Sequence, residues 1–504
     1  MVVSKITSAM PVGYGGVIVE IEGDTSRGLP SLQIVGMGNK TIDEAKERVR
    51  SAINNSGFTF PNKRITINLA PAELSKDGAY LDLPIALSIM VLSNQVAQSE
   101  VSNRWFVGEL ALDGSIRPVR GIINIVELAK QSCASTVFVP FDNIVQARLI
   151  DGIEVIGVTN LKELFLHLKN EIVIDNNARN QKARKKIPDL KYSVLLDHIR
   201  GQEQAKRAMI IAMAGRHNIL ISGPPGAGKT MLAKASTNLL SQLSDEEMVS
   251  VTKVHSIAGS TNEIVRQRPF RSPHHSASLV SMIGGGTRPN PGEISLANHG
   301  VLFLDELPEY SRSALEALRQ PLEDRQVTLS RANYKVSYPT DFMMIATMNP
   351  CHCGFFGDPD NECSCTAAQI LNYQKKLSGP LLDRIDMIIS VSKVPNSDLL
   401  NTKLMSNTQH ISAKKSVDIA RNTQFSRYNS SVIYNSNLSS NEVTSKINLS
   451  KPVQGLLSVA SDKLKLSARS YFKIIKVART IADIEGDENI DTKHVSEALQ
   501  YRRR

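Results

Sequence analysis

Between positions 223 and 230 the chain reads Gly223-Pro224-Pro225-Gly226-Ala227-Gly228-Lys229-Thr230. Glycines at this spacing let successive backbone N–H groups curl around phosphate oxygens. Lys229 would then reach the β- and γ-phosphates, and the Thr230 hydroxyl would hold Mg²⁺. The flanks suit such a loop. Ile219-Leu220-Ile221 has the composition of a buried strand, and Met231-Leu232-Ala233 can continue a helix. All eight loop residues are therefore expected to bind ATP.

Some seventy-five residues on, Val301-Leu302-Phe303-Leu304-Asp305-Glu306 is an apolar run ending in two carboxylates. A buried strand with an acidic end is common by itself, but behind a phosphate loop it has a use. Asp305 would hold Mg²⁺ through its hydration shell, and Glu306 would orient and polarise an attacking water. A third apolar run, 342–347, ends in Met348-Asn349-Pro350. Asn-Pro alone signals a turn; in this order Asn349 suits contact with the γ-phosphate or the lytic water, the sensor-1 role. Arg384 follows in Leu382-Asp383-Arg384-Ile385-Asp386. It is either a finger inserted into a neighbour's site or a structural partner of Asp383 and Asp386. Arg469, in Leu466-Ser467-Ala468-Arg469, is a sensor-2 candidate at a helix start, a position where surface arginines are frequent. The segment 197–202, with Gln202, could line an adenine pocket.

Four of five cysteines crowd into Cys351-His352-Cys353 and Cys363-Ser364-Cys365. Four thiolates can close a tetrahedral Zn²⁺ site. The Cys-x-Cys spacing is tighter than the usual two-residue gap, and His352 could replace one thiol. Four free thiols, or a redox disulfide, are the alternatives. Cys133 stands alone and reads as a core residue.

These residues need elements to carry them. The chain has 504 residues, 41% hydrophobic and 21% charged, which suits a globular protein of about three domains. The formal charge of +10 makes a nucleic-acid partner plausible. No secretory leader is expected, and the stretch 83–92, interrupted by Pro84 and Ser88, is too short for a membrane span. With the clustered thiols, this points to a reducing cytoplasm and no membrane. Residues 1–170 read as an α/β unit, with strands at 17–21 and 65–69. A helix is expected to open at a capping box, Thr41 with Glu44, and to bury Ile42, Ala45, Val49 and Ile53. Residues 171–190 are a basic linker, 191–393 the nucleotide-binding core and 394–504 a helical lid. Residues 326–339 read as a β-hairpin with Arg331 and Lys335 near its tip. A further segment carries Arg266, Arg268, Arg271, His274, His275 and Arg288. These cations could track phosphates or form ion pairs.

The longer strings Arg268-Pro269-Phe270-Arg271-Ser272-Pro273-His274-His275, Pro291-Gly292-Glu293-Ile294-Ser295-Leu296-Ala297-Asn298-His299-Gly300 and Leu304-Asp305-Glu306-Leu307-Pro308-Glu309, together with residues 378–386, resemble the magnesium-chelatase-like AAA+ ATPases. Within them the chain resembles the ComM/YifB family over nearly its whole length. That resemblance implies an α/β fold: an AAA+ P-loop core with a helical lid, behind an N-terminal Lon-protease-like domain. It also implies a homo-hexamer that hydrolyses ATP and drives branch migration of DNA, branched or single-stranded and without sequence preference, during natural transformation. The alternative is a protein-remodelling or metal-insertion ATPase. The Lon-like resemblance fails at the chemistry. Tyr80 stands where the nucleophilic serine belongs and Ile123 where the lysine belongs, so no peptidase activity is expected.

Overall fold

The computed structural model describes residues 3–36, 39–72, 76, 80–174, 194–261, 263–286, 289–331, 334–358, 361–394 and 407–502. Lys182, Arg184, Lys185, Lys186 and Pro188 of the basic stretch lie outside these residues, as does Arg288. Two units emerge. One gathers residues 1–188, 248–265 and 330–338; the other gathers 189–247, 266–329 and 339–504.

The first unit is built on seven strands. These are β1 (Ser4–Val12), β2 (Gly15–Ser26), β3 (Ser31–Val35), β4 (Arg64–Ala70), β5 (Arg104–Phe106), β6 (Thr136–Pro140) and β7 (Glu154–Val158). They lie in the order β3-β4-β2-β1-β5-β6-β7. β1 and β2 form an antiparallel hairpin, Ser4↔Gly23 through Val12↔Gly15, and the far strands pair parallel. Along β4, Ile65, Ile67 and Leu69 are fully buried while Thr66 and Asn68 are half-exposed, the period of two expected of a strand with one covered face. Helix α1 (Asn39–Asn55) buries Ala45, Val49, Ala52 and Ile53 at helical spacing. It begins ahead of Thr41, so Thr41 stands inside the first turn and cannot take the extended backbone of an N-cap.

The apolar run at 83–92 is helix α2 (Asp82–Leu92), buried at every residue. Its first residue is a carboxylate with no exposure. Arg48 donates to both Asp82 oxygens, Nε to Oδ2 at 2.7 Å and Nη2 to Oδ1 at 3.2 Å. Burial nevertheless pushes the Asp82 carboxyl up to about 6, against the pull of Arg48. Ile123 is fully buried in the core, in helix α3 (Ile122–Gln131). Cys133 is not a core residue. It is exposed, with φ of +56° just past α3.

In the second unit five short strands are all parallel: β8 (Ile219–Ser222), β9 (Phe270–Arg271), β10 (Val301–Leu304), β11 (Met343–Met348) and β12 (Met387–Ser390). Their order is β9-β10-β11-β8-β12. Near-continuous apolar strands fit a sheet covered on both faces. On one face Ile219, Ile221, Phe303 and Ile345 share a core with helices α4 (Glu203–Gly215), α6 (Thr408–Tyr428), α7 (Lys451–Leu464), α8 (Ala468–Glu485) and α9 (Thr492–Gln500). On the other, Leu220, Leu302, Leu304, Met344 and Ala346 pack with Leu315 and Leu381. Helix α5 (Lys229–Thr237) leaves the sheet from β8. Strands Gln326–Arg331 and Tyr334–Pro339 pair as the expected hairpin, of which residues 330–338 are grouped with the first unit. Among the described residues no helix is long and apolar enough to cross a membrane.

Asp82 generates a pH prediction. The folded carboxyl keeps its proton to about pH 6, whereas an ordinary aspartate releases it near 3.8. The folded state therefore holds the extra proton in that window, and the associated stability, present in full below pH 3.8, is lost as pH rises through 6. Urea unfolding of the full chain should show wild type losing on the order of 1–3 kcal/mol relative to Asp82→Asn across this window. A pH-independent difference would contradict it.

Candidate nucleotide site and cysteine loop

The site lies at the carboxyl ends of β8, β10 and β11, the edge at which open parallel sheets take ligands. β8 and β11 run level, Ser222 opposite Met348. The chain leaving β8 therefore starts the glycine loop beside the chain leaving β11. Gly226 and Gly228 have φ of +77° and +75° with nothing near a would-be Cβ. L side chains rarely adopt this backbone, and here it leaves room beside the loop.

Lys229 opens α5. Its ammonium donates to Gly223 O at 2.6 Å, Pro224 O at 3.0 Å and Asn349 Oδ1 at 2.9 Å. The candidate phosphate lysine and the candidate sensor-1 asparagine are thus in direct contact. Burial lowers the Lys229 pKa, with the Asp305 and Glu306 carboxylates acting the other way. Thr230 Oγ1 donates to Asp305 Oδ2 at 3.2 Å. The other Asp305 oxygen accepts from Thr347 Oγ1 at 2.5 Å, and Thr347 Oγ1 accepts the Glu306 N–H at 3.0 Å. Glu306 is exposed and has φ of +53°, a left-handed backbone of the kind that collects at functional sites and costs on the order of 1–3 kcal/mol. A hydroxyl and a carboxylate facing each other beside the loop form a hard-oxygen pair suited to Mg²⁺. Sequence reasoning missed Thr347, whose signal is a fully buried hydroxyl in an otherwise apolar strand.

Gln202 Nε2 donates to Ala227 O at 2.6 Å and to Ser392 O at 3.2 Å, so the 197–202 segment reaches the loop. Asp197 instead accepts the backbone N–H groups of Gln409 and His410 and tethers the first turn of α6.

The cysteine loop starts two residues after Asn349. Cys351, Cys353, Cys363 and Cys365 bring their sulfurs within 4.8 Å of one another. Sγ–Sγ separations are 3.3 Å for 351–353, 3.7 Å for 351–363 and 3.5 Å for 353–363. All four are free thiols. A backbone N–H at Phe355, helped by the neighbouring thiols, draws the Cys353 thiol down to about 5. His352 is exposed beside Tyr373 and outside this group. Four converging sulfurs match the donor chemistry of Zn²⁺. The loop also packs on the phosphate loop. Gly354 has φ of +87°, and a Cβ there would lie 2.7 Å from Pro225 Cδ.

Arg384 and Arg469 stand elsewhere in this unit and meet at one carboxylate. Arg384 Nη2 bonds Glu323 Oε2, and Arg469 Nη2 bonds Glu323 Oε1 at 2.8 Å. The expected partners Asp383 and Asp386 do not pair with Arg384; Asp386 accepts from Asn218 N at 3.0 Å.

The cations between the phosphate loop and Asp305 divide. Arg268 is buried on Glu247 at 2.7 Å, and Arg271 grips Glu293 with two bonds of 2.7 Å. Arg268 is withdrawn from solvent, whereas Arg271 keeps part of its side chain exposed. Arg266 and His274 are exposed, as is Lys335 of the hairpin.

Three family models match the chain: magnesium chelatase, subunit ChlI, over residues 195–399; subunit ChlI of Mg-chelatase over 21–143; and the subunit ChlI C-terminal model over 407–502. The competence protein ComM of Haemophilus influenzae is 41% identical over 515 residues, covering 100% of this chain and 98% of that protein. The protein YifB of Escherichia coli is 40% identical over 504 residues, covering 100% and 97%. Lon protease 2 of Bacillus subtilis is 29% identical over 152 residues, 27% of this chain and 26% of the protease. The fold is an AAA+ core with a helical lid, behind a Lon-like domain.

Gly354→Ala would drive a methyl group into Pro225 and force the cysteine loop off the phosphate loop. A fluorescent ATP analogue should bind this variant about tenfold more weakly. Unchanged affinity would show that the two loops are independent.

Proposed function

The chain belongs to the ComM/YifB family of magnesium-chelatase-like proteins, and from that premise we propose that it is an ATP-driven, hexameric DNA motor of the cytoplasm that moves branched DNA. One observation carries the ATPase reading. Two residues of the glycine loop meet groups from two other strands within hydrogen-bond distance: Lys229 with Asn349, and Thr230 with Asp305.

In this reading residues 223–230 wrap the triphosphate with backbone N–H groups. Lys229 exchanges its loop carbonyls for β- and γ-phosphate oxygens. Thr230 and Asp305 would hold Mg²⁺, which would offset charge on the phosphates. Glu306 accepts a hydrogen bond from the attacking water, and its strained backbone aims the carboxylate outward. Asn349 keeps that water, or the γ-phosphate, in line. Arg384 of a neighbouring protomer neutralises charge on the transferring group, with Arg469 as sensor 2. Cys351, Cys353, Cys363 and Cys365 would hold Zn²⁺, which would close the loop that packs on Pro225. The N-terminal domain, lacking the Ser–Lys pair, is a scaffold or partner-binding module.

A DNA partner is supported by the full-length similarity to a competence protein and the excess of ten positive charges. Exposed Arg266, His274 and Lys335 suit salt-sensitive contact with phosphates.

Forked or four-way DNA should stimulate the ATPase. Glu306→Gln should bind ATP normally, with hydrolysis reduced about 10²–10³-fold and branch migration stalled. Equal migration by both proteins, or stimulation only by a protein partner, would reject the motor and favour a remodelling ATPase. Purified chain should also carry one zinc per protomer, released by a thiol-specific mercurial and lost in Cys351→Ser with a lower melting temperature. Metal-free wild type grown with ample zinc would dismiss that site.

A further inference from the structure

A cavity of about 590 Å³ in the second unit is lined by Arg325, Arg384, Arg469, Lys473 and Lys476, with Glu323 among them. Arg384 and Arg469 reach it from different elements. Arg384 follows the short helix Gly379–Leu382, while Arg469 lies in the first turn of α8. Glu323 ends up between them, one oxygen on each guanidinium.

We propose that Glu323 is a positioning residue: its carboxylate holds Arg384 and Arg469 together as one paired cation for the nucleotide of an adjoining protomer. The inference rests on reading Arg384 as the finger.

The remaining contacts assign Glu323 this role. Arg384 Nε donates to Arg319 O at 3.0 Å and Nη1 to Pro380 O at 2.7 Å. These carbonyls orient the guanidinium plane without supplying a negative charge. Lys473, one turn beyond Arg469, donates to Ile385 O at 2.8 Å and to Asp383 O. Backbone contacts on both sides of Arg384 thus tie the loop to α8 without Glu323. What Glu323 adds is its negative charge. The neighbourhood is crowded with like charge: burial, and after it Arg469 and Lys476, lower the Lys473 ammonium against the pull of Asp386 and Asp383. Without the carboxylate the two guanidinia would repel each other and separate. Glu323 has a side-chain exposure of 45%, so its replacement should perturb packing little.

The test is steady-state ATPase of the full chain with forked DNA, over a range of ATP concentrations. Glu323→Gln should lower kcat about tenfold with KM for ATP within about twofold, at an unchanged melting temperature. Glu323→Asp should recover part of the loss. Combined with Arg469→Ala, Glu323→Gln should add less than about a twofold further loss, because the coupling it serves is already gone. Wild-type kcat in Glu323→Gln, alongside a slow Arg384→Ala, would overturn the proposal and leave the finger standing. Losses that multiply fully in the double variant would also overturn it. Full turnover in Arg384→Ala would sink the finger reading itself, and this inference with it.

Discussion

Asp305 accepts two hydroxyl hydrogen bonds at once, from Thr230 on one oxygen and Thr347 on the other. That arrangement ties the helix after the phosphate loop, the end of β10 and the end of β11 into one small volume. It is possible because β10 and β11 are parallel and in register, Leu304 opposite Ala346. A slip of one residue would send Thr347 to the opposite face of the sheet. Asp305 would lose a donor and Glu306 the acceptor for its N–H. The register therefore depends on sheet packing, and the chemistry depends on the register.

The same economy governs the charges of the second unit, where arginines are tied to carboxylates of the same chain. Arg216 meets Asp341 at 3.1 Å, Arg268 meets Glu247 and Arg271 meets Glu293. Asp483, fully buried on α8, accepts Arg427, Arg479 and Asn435, and Asn435 also bonds Thr480, which reaches His217 at 2.8 Å. A buried carboxylate with three donors is satisfied where a lone one would be costly. This polar seam joins the helical segment to the core beside their shared apolar cluster, so a shift of α8 would also load the Arg384 loop through Lys473.

Much of this was legible in the chain. The phosphate loop, the Asp305-Glu306 pair, Asn349 and the cysteine pairs each sit in a short window. Their residue types and flanking apolar runs suffice to name them. The hairpin over 326–339 and the helical character of the segment after 394 are legible there too. Other residues resisted. Thr347 looks like one more member of a β-strand. Glu323 is one acid among many, and Arg268 looks like a surface cation until Glu247 is brought to it. Cys133 reads as core because isolated cysteines usually are buried, yet a helix ends just before it and turns it outward.

The sequence by itself determined which groups could touch a triphosphate and which four sulfurs could share a metal. Those properties belong to residue identity and local spacing, which the backbone transmits over a few residues. Only the tertiary structure decided that Lys229 meets Asn349, that Gly354 lies against Pro225 and that one carboxylate serves both Arg384 and Arg469. Such meetings join segments tens to more than a hundred residues apart, and they arise when parallel strands align and helices pack. No local pattern encodes a distance across the fold.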